Sequence, residues 1–481
     1  MDKEQEALFQ GHKRLMLMSY RFYVSEMFSQ IHKTKFVFGP HHEKIITALE
    51  KVLRGETRKL IINIAPRYSK TEIAVKMFIS KGLAVNPRSR FLHLSYSASL
   101  AADNSLAIKN IVANEYYDHL FHVGFGPKST QMWWQTMEGG GVYATSTLGQ
   151  ITGFGAGLTE SEEELLDEYT AEYNKDRFSG AIVIDDPIKP EDALSDNARE
   201  SVNRRFETTI RNRVNSRKTP IIIIMQRLHE HDLCGYLQEA EPGEWEVLKI
   251  PAISRDENGN EVALWPFKHT LEELHSLRKI NPWVFDTQYM QEPKPLEGLL
   301  FPEGETVYFR EIPTEPEMTF IQVDPADEGK DCYCSKVFMV KDGYAYNVDT
   351  IYTEDKLEIT LPRQKEQILR WRPSYVNIES VSAWRLVAKD IKEWAAEVIP
   401  DTEIRRFNVH ANKEVRIFNE APTIRNRFRY RHPEMQNAEY AKCMKEKHSY
   451  LKMGKNQRDD GVDCDAAASH WMKRNSLISV V

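Results

Sequence analysis

The 481-residue sequence is poor in cysteine: Cys234, Cys332, Cys334, Cys443 and Cys464 form no CxxC pair. They are too few and too scattered along the chain to predict a disulfide framework or a zinc site, so a reducing cytoplasm is the expected setting. No apolar run approaches the ~20 residues that span a bilayer. The charged start, Met1-Asp2-Lys3-Glu4-Gln5-Glu6, has no apolar core of the kind a signal peptide needs, and no membrane association is expected. There is no internal repeat and no low-complexity tract. An excess of positive charge is also missing. The formal net charge of −7 argues weakly against a nucleic-acid partner, although local charge matters more for such binding.

Hydrophobic residues make up 41% of the chain and aromatics 10%, as expected of a globular protein with a sizeable core. At ~150 residues per domain the length predicts roughly two to four domains, and the patterning favours two. Charge is uneven. Glu160 to Asp176 carries eight acids against Lys175 alone, whereas Arg199 to Lys218 carries Arg199, Arg204, Arg205, Arg211, Arg213, Arg217 and Lys218 against two acids. Between Asp401 and Asp460 fourteen Lys/Arg meet nine Asp/Glu, with Phe428 and Tyr430 among Arg425, Arg427, Arg429 and Arg431. Such basic runs suit nucleic acid, but a solvated face would look the same.

Residues 1–35 read as a helical arm, either for a partner or simply for packing. Over 36–240, apolar runs at Leu60–Ile64, Phe91–Tyr96, Ala181–Ile184 and Ile221–Met225 alternate with helical patterns. Continuous apolar strands separated by helices predict an α/β domain whose mainly parallel sheet is covered on both faces. Residues 241–310 break this rhythm and read as a connector with a helix at Leu271–Lys279. A second α/β domain is expected over 311–481. Strands Phe320–Val323, Lys336–Val340 and Tyr344–Asp349, with a hairpin turn at Lys341-Asp342-Gly343, precede helix Thr360–Trp371, strand Tyr375–Ile378, helix Ala383–Ala396 and strand Glu403–Phe407.

The first chemical signal is Ile64-Ala65-Pro66-Arg67-Tyr68-Ser69-Lys70-Thr71, between a strand and a helix. A helix N-terminus offers free N–H groups to phosphate, a lysine reaches the outer phosphates and a Thr hydroxyl ligates Mg²⁺. The pattern GxxxxGK[ST] nevertheless requires glycine at positions 64 and 69, where this chain has Ile64 and Ser69. An ordinary Arg/Lys-bearing turn remains the competing reading. Strand Ile182-Val183-Ile184 ends in Asp185-Asp186, which suits an acid holding Mg²⁺ and a second orienting or deprotonating water, although Pro187 alone would also start a turn there. Ile221–Met225 ends in Gln226-Arg227, polar groups placed to sense a γ-phosphate. Arg211 or Arg213 is a candidate arginine finger across a subunit boundary, with DNA contact or a surface role as the competing readings. Gly139-Gly140-Gly141 and the Gly149–Gly157 stretch read as loops near this site.

The second signal is carboxylic. Asp324 and Glu379 end the first and fourth strands of the second domain, which would lie side by side, and Asp459, Asp460 and Asp463 open a helix. Clustered carboxylates repel unless a cation neutralises them, so Mg²⁺ or Mn²⁺ is expected there, activating water for phosphodiester cleavage. Asp327 and Asp331 are further acids in the turn after the first strand.

Asn63 to Thr71, Gly149-Gln150-Ile151-Thr152-Gly153, Ile184 to Pro187, Met225 to Glu230, Leu264-Trp265-Pro266, Gln288 to Gln291 and Asp459 to Asp463 resemble, in order and spacing, the large terminase subunit of tailed bacteriophages. The resemblance runs from about Phe38 to Trp471. It implies an N-terminal P-loop ATPase and a C-terminal ribonuclease-H-like, integrase-like nuclease with a mixed sheet. It further implies ATP with Mg²⁺ as cofactors and a ring of copies, monomeric before assembly, on the portal of a procapsid in the host cytoplasm. Double-stranded DNA arriving through a small terminase subunit is the expected substrate. By the same resemblance Arg67, Ser69, Lys70, Thr71, Asp185, Gln226 and Arg227 serve the nucleotide, with Asp186 as base where many relatives have Glu. Asp324, Glu379 and Asp463 or Asp460 are the nuclease acids. A helicase or translocase would leave the second cluster idle, and a resolvase or transposase the first.

Overall fold

The computed structural model describes residues 3–151, 153–163, 178–294, 298–325, 332–379, 384–407, 413–452 and 458–478. The chain forms two compact units, Met1–Lys294 and Pro295–Val481. Among the described residues no helix is long and apolar enough to cross a membrane.

In the first unit seven strands form one sheet: β1 (Lys59–Ile64), β2 (Arg90–Ser95), β3 (Trp133–Gln135), β4 (Gly141–Ser146), β5 (Ile182–Asp185), β6 (Ile221–Met225) and β7 (Glu246–Ile250), in the order β3-β4-β2-β5-β6-β1-β7. Only the edge strand β3 is antiparallel to its neighbour. Successive strand residues point to opposite faces, and in β1, β5 and β6 both faces are apolar. Leu60, Ile62, Val183, Ile222 and Ile224 join one buried cluster, while Ile61, Ile182, Ile184, Ile221 and Ile223 join the other. Burial on both sides is why these strands read as unbroken Ile-rich runs. The helix after β1 approaches β2 closely at Gly82, where a Cβ would lie 2.5 Å from the Phe91 ring, so only glycine fits.

The N-terminal helices Lys3–Met18 and Tyr20–His32 bury Met16, Tyr20, Tyr23, Val24 and Met27 in this core, and Lys81 donates to the Leu17 carbonyl at 2.7 Å. The segment thus packs on the core of the first unit. The segment expected as a connector belongs to the first unit as far as Lys294: β7 pairs with β1, and a small hairpin, β8 (Ile253–Arg255) with β9 (Glu261–Ala263), follows.

In the second unit β10 (Tyr308–Phe309), β11 (Met318–Asp324), β12 (Tyr333–Lys341), β13 (Tyr344–Thr353), β14 (Tyr375–Glu379), β15 (Glu403–Phe407) and β16 (Phe428–Arg431) form a mixed sheet in the order β10-β16-β13-β12-β11-β14-β15. Asp342 and Gly343 both take positive φ, 52° and 72°, giving the two-residue turn that suits the twist of a hairpin. β14 returns through helix Leu357–Trp371 and pairs in parallel with β11, as the sequence order requires. One face of the sheet buries Ile321, Val323 and Val337 against Ile368 and Ile391 from two helices. On the other, Phe320 stacks on Phe338 and meets Trp471 of helix Asp460–Arg474.

Two features of this unit were hidden in the sequence. Four of the five cysteines, drawn from three separate parts of the chain, meet beside Tyr352, all as free thiols. Asp465, fully buried, accepts from Lys336 at 2.7 Å and from Lys447 and Tyr430, each at 2.8 Å, and Lys336 also donates to the Gly461 carbonyl. The two ammonium groups outweigh the burial that opposes ionisation, and hold the Asp465 carboxyl below its ordinary value.

Candidate functional site

In a parallel sheet all strands end at one edge, so the loops after β1, β5 and β6 meet there. Sheet order places β6 between the other two, which brings Gln226 between the Lys70 and Asp186 segments. The Lys70 ammonium is buried, 2.6 Å from Asp186 Oδ1 and 2.6 Å from Gln226 Oε1. The Thr71 hydroxyl donates to Asp185 Oδ2 at 2.7 Å. Asp185 Oδ1 is buried with no hydrogen-bond partner. Burial first, and the neighbouring Asp186 charge second, push the Asp185 carboxyl up to about 7, against the opposing pull of Lys70 and Thr71. A buried acid with a vacant oxygen and a hydroxyl beside it suits a Mg²⁺ ion accompanying a nucleotide.

The loop achieves its curvature without glycine. Arg67 and Ser69 adopt φ of 66° and 59°, the left-handed region that glycine would occupy at least cost. Such a conformation costs a side-chain-bearing residue about 1–2 kcal/mol. Tyr68, between them, offsets this: it is wholly buried, hydrogen-bonded to His269 at 3.1 Å, with its ring centroid 5.6 Å from that of His41 and 6.2 Å from that of Trp265. Arg67 itself is exposed at the loop tip. The helix begins at Lys70 and passes through a π-helical turn, Glu72–Met77. Neither the aromatic anchor nor the π turn had been anticipated; Trp265 within Leu264-Trp265-Pro266 was the available signal.

Arg227 turns away into its own loop. Its Nε lies 3.0 Å from both Asp232 carboxylate oxygens, and its terminal nitrogen donates to the His229 and Glu230 carbonyls. Its backbone N–H donates to Gln291 Oε1 at 2.9 Å, so the Gln288–Gln291 segment braces this loop. The two arginine-finger candidates also separate. Arg211 is held by Glu207 and Glu241, whereas the Nε of Arg213 is buried with no hydrogen-bond partner. One expectation is corrected: Gly139-Gly140-Gly141 turns into the start of β4, where Gly141 faces Arg90 at the start of β2, and therefore lies at the sheet edge opposite the carboxylates. The Gly149 loop follows the end of β4 and is on the expected side, with Arg205 donating to the Gly149 carbonyl at 2.6 Å. Most of the acidic 160–176 stretch lies outside the described residues.

In the second unit β11 and β14 end side by side in Asp324 and Glu379, and the first turn of helix Asp460–Arg474 adds Asp463. One carboxylate oxygen from each of these three lies within 4.8 Å of the others, and among the described residues no other trio of potential metal ligands is found. Asp460 is buried nearby, with Oδ2 accepting from the Cys332 N–H at 2.8 Å. Burial pushes the Asp324 carboxyl well above its ordinary value, and burial likewise raises Asp463, to about 6, against the pull of Arg416 and Lys413. Asp324 Oδ2 has no hydrogen-bond partner, and a donor set of carboxylates alone suits hard divalent cations. Asp327 and Asp331 lie outside the described residues.

Two cations at this cluster were not legible in sequence beyond a generally basic run. Helix Lys413–Arg427 directs Lys413 and Arg416 into it. Arg416 pairs through Nε, at 2.7 Å, and a terminal nitrogen with Asp463 and lies 3.6 Å from Glu379.

No protein-family profile matches the sequence, and no curated protein does. Solved structures do. The large terminase of the thermophilic bacteriophage D6E matches with a TM-score of 0.53 at 12% identity, over 91% of this chain and 99% of that one. Its complex with ATP-γ-S gives a TM-score of 0.54 at 13% identity, covering 90% and 99%. Its ADP complex gives 0.50 at 12% identity, covering 89% and 98%. The chain therefore has the two-domain fold of this large terminase.

Proposed function

We propose that this chain is a viral DNA-packaging motor that also cuts DNA: ATP hydrolysis in the first unit drives double-stranded DNA into a procapsid, and the second unit makes endonucleolytic cuts in concatemeric DNA. The observation that carries this reading is that one chain assembles both the Lys70/Thr71–Asp185/Asp186 cluster and the Asp324/Glu379/Asp463 cluster, each at the C-terminal ends of its strands. A helicase or a resolvase would use only one of them. The partners that go with this reading are a portal protein, a small terminase subunit and further copies of the chain in a ring, all in the host cytoplasm.

In the first site Lys70 contacts the outer phosphates, and Asp185 with Thr71 holds the metal. Asp186, released from Lys70 when nucleotide binds, orients or deprotonates the attacking water. Gln226, sharing Lys70 with Asp186, reports nucleotide state along β6, and Arg213 acts on the nucleotide of a neighbouring copy. Arg67 and Ser69 supply the curved backbone that faces phosphate. In the second site Asp324, Glu379 and Asp463 would hold two divalent cations, with Asp460 as outer support. Mg²⁺ or Mn²⁺ there supplies an activated water and charge stabilisation for the leaving oxygen.

One paired experiment tests the reading. Lys70→Ala is expected to abolish DNA-stimulated ATP turnover and packaging while sparing metal-dependent cutting, and Asp324→Ala to do the reverse. Cleavage that persists in the Asp324 variant would sink the nuclease half.

A further inference from the structure

Five carboxylates, those of Asp324, Glu379, Asp459, Asp460 and Asp463, converge at the second-unit cluster, and two cations face them. The two are held differently. Arg416 is nearly buried and locked to Asp463 by two hydrogen bonds. Lys413 opens its helix, keeps about a third of its side chain exposed, and has an ammonium 2.8 Å from Asp459 Oδ1, 2.9 Å from Asp460 Oδ1 and 3.7 Å from both Asp324 Oδ2 and Asp463 Oδ2. It is shared among four acids rather than paired with one, which is how a metal ion sits rather than how an ordinary surface lysine sits.

We propose that Lys413 is the resident cation of this cluster, and that a divalent metal enters only by displacing its ammonium toward solvent. An ammonium and a divalent cation within about 4 Å of one another repel strongly in a partly buried site, so both do not occupy the trio together. The flexible four-carbon stem and its exposure give Lys413 somewhere to go, whereas the guanidinium of Arg416 stays and keeps Asp463 oriented. Metal affinity, and with it the readiness to cut, is then set by a lysine as well as by the acids. The inference rests on reading Asp324, Glu379 and Asp463 as a metal site.

The test uses the full chain carrying Asp185→Asn, so that the first-unit site does not report, and Mn²⁺ binding followed by electron paramagnetic resonance. Lys413→Met, which keeps the length and removes the charge, is expected to bind Mn²⁺ about tenfold or more tightly than Lys413, and Lys413→Arg to stay within about threefold. Independently, Mn²⁺ is expected to accelerate acetylation of Lys413 in the unsubstituted lysine form, read by peptide mass spectrometry. That arm decides even where a variant does not fold. Equal or weaker Mn²⁺ binding by Lys413→Met, or acetylation that Mn²⁺ leaves unchanged, overturns the proposal, while weakened binding in Asp324→Asn preserves the metal site. Mn²⁺ binding indifferent to Asp324→Asn removes the metal-site reading and this inference with it.

Discussion

The Lys70 ammonium and Asp186 Oδ1 are 2.6 Å apart although 116 residues separate them in the chain. The pair joins the loop after β1 to the end of β5 across the intervening strand β6. The lysine expected to grip phosphate is thus paired with the acid expected to handle water.

Replacing Lys70 with Ala is expected to abolish DNA-stimulated ATP turnover, a fall of at least about 10²–10³-fold, the usual scale for losing a charge-stabilising donor. Lys70→Arg is expected to fall nearly as far, because a planar guanidinium does not fit the point between Asp186 and Gln226. Steady-state phosphate release measures both.

Nucleotide affinity is expected to depend on pH through Asp185. Its carboxyl titrates at about 7 in the folded chain, above its ordinary 3.8, so a proton competes with the metal once pH drops below about 7. Mg·ATP binding should weaken by up to about tenfold per pH unit there, and Asp185→Asn should bind weakly with a flat profile. Without nucleotide the sign reverses: a raised acid favours the folded state at low pH, and that contribution is lost as pH rises through about 7. Fluorescent-nucleotide titration from pH 5.5 to 8.5 reads the first effect, and thermal melts over the same range the second.

The two arginines near the end of the basic helix should separate by assay. Arg211→Ala breaks contacts with Glu207 and Glu241 and is expected to cost stability, about 1–3 kcal/mol for a half-buried charged network, with little specific effect on turnover. Arg213→Ala is expected to leave the melting temperature unchanged and to lower turnover only in assembled rings. Full turnover by pure Arg213→Ala assemblies excludes a role in trans.

Asp465→Asn should destabilise the second unit. It leaves Lys336 and Lys447 buried without their carboxylate, a change worth about 3–5 kcal/mol when one partner of a buried pair is removed. Because the Asp465 carboxyl is held below its ordinary value, its contribution is present above the unfolded pKa and is lost as pH falls toward the folded one. Urea unfolding of the two forms at pH 7 and at pH 3, below the ordinary aspartate value of 3.8, measures the difference, which should shrink at the lower pH.

Much of this architecture was legible in sequence. The Ile-rich runs that became β1, β5 and β6, the meander from Met318 to Thr353 and the parallel return of β14 all announce themselves by hydrophobic pattern, because a strand buried on both faces has little freedom in composition. β7 was missed. As an edge strand buried on alternate residues only, Glu246-Val247-Leu248-Lys249-Ile250 carries a weaker signal than the runs beside it. Asp185, Asp186, Asp324 and Glu379 were recognisable because each stands where a strand gives way to a loop, and Lys70 because it opens the helix after one; the topology then brings those positions together.

The sequence by itself determined the kinds of strand, the carboxylates at their ends, and the lysine and threonine at a helix start, since all of these follow from local periodicity and residue chemistry. The tertiary structure alone decided that Arg227 serves its own loop, that Tyr68 is the anchor on which the glycine-free loop bends, that Asp463 rather than Asp460 completes the trio, and that Lys413 and Arg416 enter it. Each of those outcomes depends on which side chain reaches a shared point in space from a distant part of the chain. No local pattern records such a meeting, because its energy comes from desolvation and charge contact that exist only after the chain has closed on itself.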